Sequence, residues 1–106
     1  MAAGSVHIPW YATLFRAEKF ASALEEIAPL ALRYGAKSYA VYQSRDDWYK
    51  FVHTVEFDEK LQWERYWNGP EFSDWRAKYT SWYQVPVLYV WHDVGAQGAT
   101  ELVAES

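Results

Sequence analysis

Tyr49-Lys50-Phe51-Val52-His53-Thr54-Val55-Glu56-Phe57 alternates as a β-strand does, and Asp58-Glu59 leads from it directly into a helical pattern. Successive strand side chains point to opposite sides, so Tyr49, Phe51, His53, Val55 and Phe57 share one face and Lys50, Val52, Thr54 and Glu56 the other. The first set is apolar apart from one histidine, which predicts a face packed on helices. Asp58 suits an N-cap for a helix running from Glu59 through Leu61, Trp63 and Tyr66 to Trp67. Asn68-Gly69-Pro70 must interrupt that helix. Pro70 can open a second helical piece at its first position, with Phe72, Trp75, Tyr79 and Trp82 as an apolar stripe.

Upstream, Lys37 to Arg45 reads as a strand joined to Tyr49–Phe57 by the polar hairpin Ser44-Arg45-Asp46-Asp47. From Ala17 to Tyr34 the period lengthens: Phe20, Leu24, Ile27, Ala31 and Tyr34 recur at steps of three and four, as in an amphipathic helix. Gly35 fits a left-handed cap, and Pro29 predicts a kink or break near Glu25 to Ala28, because its ring removes a hydrogen bond and crowds the preceding turn. Val6 to Arg16 is expected to be a strand buried on both faces, with Ile8, Trp10, Ala12 and Leu14 on one side and His7, Tyr11, Thr13 and Phe15 on the other. Pro9 lacks a donor and suggests regular pairing only beyond it. Gln84-Val85-Pro86 ends the second helical region, and Val87 to Asp93 forms a last strand.

The resulting order is strand, helix, strand, strand, helix, strand. With right-handed crossovers it gives a ferredoxin-like βαββαβ fold of the α+β class, a four-stranded antiparallel sheet with its helices on one face. One domain is expected over residues 6–94, with flexible termini at 1–5 and 95–106. The other face of the sheet is left open. Trp10, Tyr11 and Trp91, taken to lie on it, make water a poor occupant and a second copy of the chain the expected one, as a homodimer.

Composition narrows the partners. The 106 residues include 7 Trp, 9 Tyr and 5 Phe, 20% aromatic in all, more than a two-layer core of this size needs, so some of that surface is expected to meet a partner or a small ligand. The net charge is −4 and there is no Lys/Arg cluster to neutralise phosphates, which excludes a nucleic-acid binder. Cysteine is absent, removing disulfides, thiolate metal sites and thiol nucleophiles, and making the cytoplasm the default location. No apolar run approaches a membrane span, and Met1 to Ser5 do not resemble a signal peptide.

The element order, the passage of Val55-Glu56-Phe57-Asp58 straight into a helix, and the broken helix at Tyr66-Trp67-Asn68-Gly69-Pro70-Glu71-Phe72 together resemble the dimeric α+β barrel superfamily, and within it the antibiotic-biosynthesis-monooxygenase-like domains. The resemblance covers Val6 to Asp93. It implies that two open sheets pair into a barrel, with a site held between sheet and helices or inside the barrel. The chain departs from the haem-degrading relatives, since its first strand has no Asn, and from the haem peroxidase and chlorite dismutase relatives, since His7, His53 and His92 all fall on strands rather than on a helix.

Among titratable residues His53 stands out, because burial on an apolar face would keep it neutral and able to accept a substrate proton as a catalytic base. The alternative is a core histidine satisfied by one tyrosine hydroxyl or backbone group. Trp63 and Trp67, one turn apart, are placed to wall a pocket for a flat apolar molecule, with Tyr11 as a further substrate contact and Arg76 binding an acidic group at the mouth. No close His spacing supports a metal site, and no phosphate loop or nucleophile elbow occurs. The sequence names no cofactor. Two functional readings follow: a monooxygenase-like enzyme enclosing an electron-rich aromatic substrate among tryptophans, and a non-catalytic dimeric binding or structural domain whose aromatics serve the dimer seam.

Overall fold

The computed structural model describes residues 3–100. Strand β1 (Gly4–Tyr11) is followed by helix α1 (Ala17–Ile27), a 3₁₀ segment (Ala28–Tyr34), β2 (Ser38–Gln43), β3 (Lys50–Phe57), α2 (Lys60–Asn68), α3 (Pro70–Lys78) and β4 (Val90–Asp93). The strands form one antiparallel sheet in the order β2-β3-β1-β4, which is the ferredoxin-like topology expected from the element order. Residues 1–2 and 101–106 lie outside the described residues, and with them part of the termini expected to be flexible. Among the described residues no helix is long and apolar enough to cross a membrane.

The central pair is β1 with β3, in the register Val6↔Val55, Ile8↔His53 and Trp10↔Phe51. All six of these side chains are buried on the helix side. Pairing is regular from Gly4 onward, so Gly4 and Ser5 belong to the sheet rather than to a flexible end, and Pro9 does not delay it. The reason lies in which edge each backbone group faces. Ala12 N–H donates to Tyr49 on the β3 side, whereas the Tyr11 carbonyl, on the opposite side, accepts from Gln84 N–H. Pro9 shares the parity of Tyr11, so its missing donor points toward β4, whose pairing with β1 stops at His7.

Only one face of β1 is buried. The same alternation that turns Val6, Ile8, Trp10 and Ala12 inward leaves His7, Pro9 and Tyr11 on the open face, and Leu14 and Phe15 lie in the exposed turn beyond the strand. Trp91 also faces the helix side: it sits opposite Val6, and its indole covers Gly4 so closely that a Cβ there would collide with the ring. Trp10 and Trp91 are therefore not the open-face aromatics that the sequence suggested. The open face carries Ser5, His7, Thr54, Glu56 and His92, with apolar groups toward one end.

The helical layer follows its punctuation. The α-helix stops at Ile27, where Pro29 in the first turn of the 3₁₀ segment prevents continuation, and Gly35 closes that segment at φ 97°, a left-handed value that a side chain disfavours. Glu59, not Asp58, caps α2, its N–H accepted by Gln62 Oε1 at 3.0 Å, while Asp58 pairs with Lys37 at 3.2 Å. Gly69 ends α2 and precedes Pro70 at the start of α3. The last strand is shorter than expected, Val90–Asp93, since β1 offers β4 only Gly4 to His7. In its place the segment around Tyr83 extends the sheet along β1 by an Ala12↔Tyr83 bridge.

Candidate functional site

Between the sheet and α2/α3 lies a continuous layer of rings with Trp10 at its centre. Its indole meets Tyr83 at 5.1 Å, Phe20 at 5.5 Å, Trp75 at 5.6 Å, Trp67 at 6.2 Å and Phe72 at 6.4 Å between centroids. Each such pair adds about 0.5–1.5 kcal/mol beyond the area it buries. Trp75 Nε1–H donates to the Ala23 carbonyl at 3.1 Å and locks α3 against α1. Most of the aromatic excess is thus core.

The buried polar atoms are what a core alone does not explain. His53 is fully buried, its Nδ1 accepting from Trp10 Nε1–H at 3.4 Å across the β1–β3 pair, and its Nε2 has no partner among the described residues. The partner is neither the tyrosine hydroxyl nor the backbone group expected from the sequence. Burial alone pushes the imidazole down to about 4, so the ring is neutral at pH 7. Trp63 Nε1 and Tyr66 Oη are likewise buried and unpartnered among the described residues. Burial raises the Tyr66 hydroxyl well above its usual range. Phe72 links these groups, its ring 6.4 Å from His53 and 4.9 Å from Tyr66, which in turn lies 6.0 Å from Trp63.

Trp63 and Trp67 do share a face of α2, with their rings 5.2 Å apart, and Tyr89 covers both at 4.8 and 5.1 Å. Arg76 joins them: its guanidinium lies 3.9 Å from the Trp67 ring centre, and its Nη1–H donates to the Trp67 carbonyl at 2.7 Å, stapling α3 to the end of α2. Burial weakens its hold on its proton, with the nearby tyrosines acting the other way. His53, Trp63, Trp67 and Arg76 therefore belong to one side of the sheet. Tyr11 does not. Strand parity puts it on the open face, where it lines a hollow with Pro9, Val85 and Leu88.

Sequence reasoning missed Trp10, Tyr66 and Tyr89. Trp10 meets His53 through a diagonal between two strands, which no spacing along the chain reveals. Tyr66 was visible as a helix-face aromatic but not as a buried hydroxyl. The same holds for His7 and His92, on the open face of β1 and β4, whose rings stand 4.7 Å apart although 85 positions separate them (92 − 7). Among the described residues no three His, Asp or Glu gather as a metal site.

The fold this geometry defines is that of the antibiotic biosynthesis monooxygenase-like domains. A proposed antibiotic biosynthesis monooxygenase from Nitrosomonas europaea superposes with a TM-score of 0.80 over 89% of this chain and 91% of its own, at 17% identity. The cofactor-independent oxygenase SnoaB from Streptomyces nogalater does so at 0.78 over 92% and 97%, with 11% identity, and a further proposed monooxygenase from Deinococcus radiodurans at 0.79 over 92% and 98%, with 14% identity. No protein-family model matches the chain, and no curated protein matches it by sequence.

Proposed function

We propose that the chain is a small-molecule protein of the monooxygenase-like kind, holding a flat, oxygen-bearing aromatic compound between the sheet and α2/α3, and that it works as a homodimer. The observation that carries this reading is the set of three buried polar atoms, His53 Nε2, Trp63 Nε1 and Tyr66 Oη, without partners inside a layer of rings. An unsatisfied buried donor costs about 1–3 kcal/mol, and apolar side chains of similar size would avoid that cost. A ligand oxygen would recover it. The solved structures of like fold include a cofactor-independent oxygenase, which agrees with chemistry in which the substrate itself supplies the electrons for dioxygen. One oxygen atom would then enter the substrate at a methylene carbon as carbonyl and the other would leave as water.

A second reading has an observation of its own: Trp63 is fully buried among Phe57, Tyr66, Trp67 and Tyr89, as in a filled core. On that reading the domain is a non-catalytic dimer. Quenching of intrinsic Trp fluorescence by a panel of phenols, quinones and anthrone-type compounds, with oxygen uptake followed in parallel, separates the two. Saturable quenching that His53→Ala abolishes in a still-folded protein supports the site; no quenching up to millimolar ligand favours the packed domain.

A further inference from the structure

We infer that Trp10 positions His53 as a hydrogen-bond donor, fixing the tautomer that carries its hydrogen on Nε2, so that the site takes ligands through an acceptor oxygen such as a carbonyl, phenolate or enolate. The inference rests on the binding reading above and specifies which atom of the ligand is recognised. An indole nitrogen can only donate. With Trp10 Nε1 3.4 Å from His53 Nδ1, the ring nitrogen facing it must hold the lone pair, since an Nδ1–H tautomer would set two hydrogens against each other. Neutral imidazole carries one hydrogen, which then resides on Nε2, the atom that is buried and has no acceptor among the described residues.

The base expected from the sequence is thereby replaced by its opposite. The lone pair is turned to Trp10, and what points away from it is an N–H. Trp63 Nε1–H is a second group that can only donate, and the Tyr66 hydroxyl can do so as well. A set so rich in donors matches a ligand that brings acceptors, and fixed donors in a water-poor site stabilise developing negative charge on oxygen. Trp10 acts through His53 and is a positioning residue; its indole also packs against the rings of Phe20, Trp67, Phe72, Trp75 and Tyr83.

The test uses the full chain with ¹⁵N-labelled histidine at pH 7. Long-range ¹H–¹⁵N correlations should show His53 protonated on Nε2 and unprotonated on Nδ1; the Nδ1–H form, or an imidazolium, would overturn the inference. Trp10→Phe should release the ring into a mixture of tautomers, and an unchanged single tautomer would deny Trp10 the role. Should that variant not fold, His53→Leu gives the reciprocal readout, because the Trp10 indole N–H resonance must move when its acceptor is lost. Binding of 2-hydroxy-1,4-naphthoquinone should weaken about tenfold or more in His53→Leu, with part recovered in His53→Gln, while naphthalene binding stays the same. Equal weakening of both probes counts against the donor role. If neither probe binds the wild-type protein, the binding reading falls with the ligand class; if the quinone binds to a ring shown to be Nδ1–H, the inference alone falls.

Discussion

His53 holds its proton only below about 4 in the folded chain but near 6.5 once released to water. Between those values the unfolded chain binds a proton that the folded chain refuses, so stability falls as pH drops through that window and is fully present above it. A displacement of this size corresponds to up to about 3 kcal/mol. Urea denaturation at pH 7.5 and pH 4.5 should therefore show the wild type losing more stability than His53→Gln, and parallel losses would mean the imidazole is not buried as described. Tyr66 gives a prediction of the other sign. Its hydroxyl is buried without a partner among the described residues, so Tyr66→Phe should stabilise the ligand-free protein by about 1 kcal/mol while weakening binding of an oxygenated aromatic. A destabilised Tyr66→Phe would show that the hydroxyl is already satisfied.

Elements follow their punctuation closely here, and the joint between α2 and α3 shows why. Gly69 is held between Tyr34 and the turn before it: a Cβ would lie 2.7 Å from Tyr34 Oη and 2.8 Å from the Arg65 carbonyl oxygen. Tyr34 Oη in turn donates to Glu71 Oε1 at 2.5 Å, tying the 3₁₀ segment to the first turn of α3. Gly69→Ala must displace one of these and should cost about 1–3 kcal/mol in a thermal or chemical melt, whereas Gly95→Ala, with nothing within 4 Å, should change nothing measurable. Equal melts for the two would deny the close approach. The joint was readable from Asn68-Gly69-Pro70, as were the break at Pro29, the cap at Gly35 and the inward face of β3, because each is decided by a residue's own backbone chemistry or by strand alternation. Capping by Glu59 was not, because Asp58 pairs instead with Lys37, which the fold brings beside the end of β3; nor were the short β4 and the Trp10–His53 contact, which depend on which strand lies beside which and where its pairing stops. For the site, the helix residues Trp63, Trp67 and Arg76 were legible as neighbours, but the atoms left without partners become visible only once every surrounding group has a place.

At the scale of the whole molecule, the placement of Trp10 and Trp91 on the helix side changes the case for a dimer without removing it. The expected drive was a sheet apolar on both faces; the open face is instead divided. Ser5, His7, Thr54, Glu56 and His92 occupy one part, where Glu56 Oε2 is buried without a partner among the described residues. Toward the other end the exposed apolar groups gather: Tyr11, Val85 and Leu88 around one hollow, with Tyr42 across Val52 and Pro9 in the same row of the sheet. If a second copy covers this face, that end supplies the apolar area, and a charge placed there should oppose association while leaving the protomer intact. Leu88 is the position to change, because at 67% exposure it contributes little to the protomer's own core. Leu88→Glu should leave the melting curve of the protomer near that of wild type yet raise the dissociation constant of the dimer at least tenfold, about 1.4 kcal/mol, in sedimentation equilibrium. A wild-type chain that sediments as a monomer at several hundred micromolar, or a Leu88→Glu variant that dimerises as tightly as wild type, would remove this face from the interface.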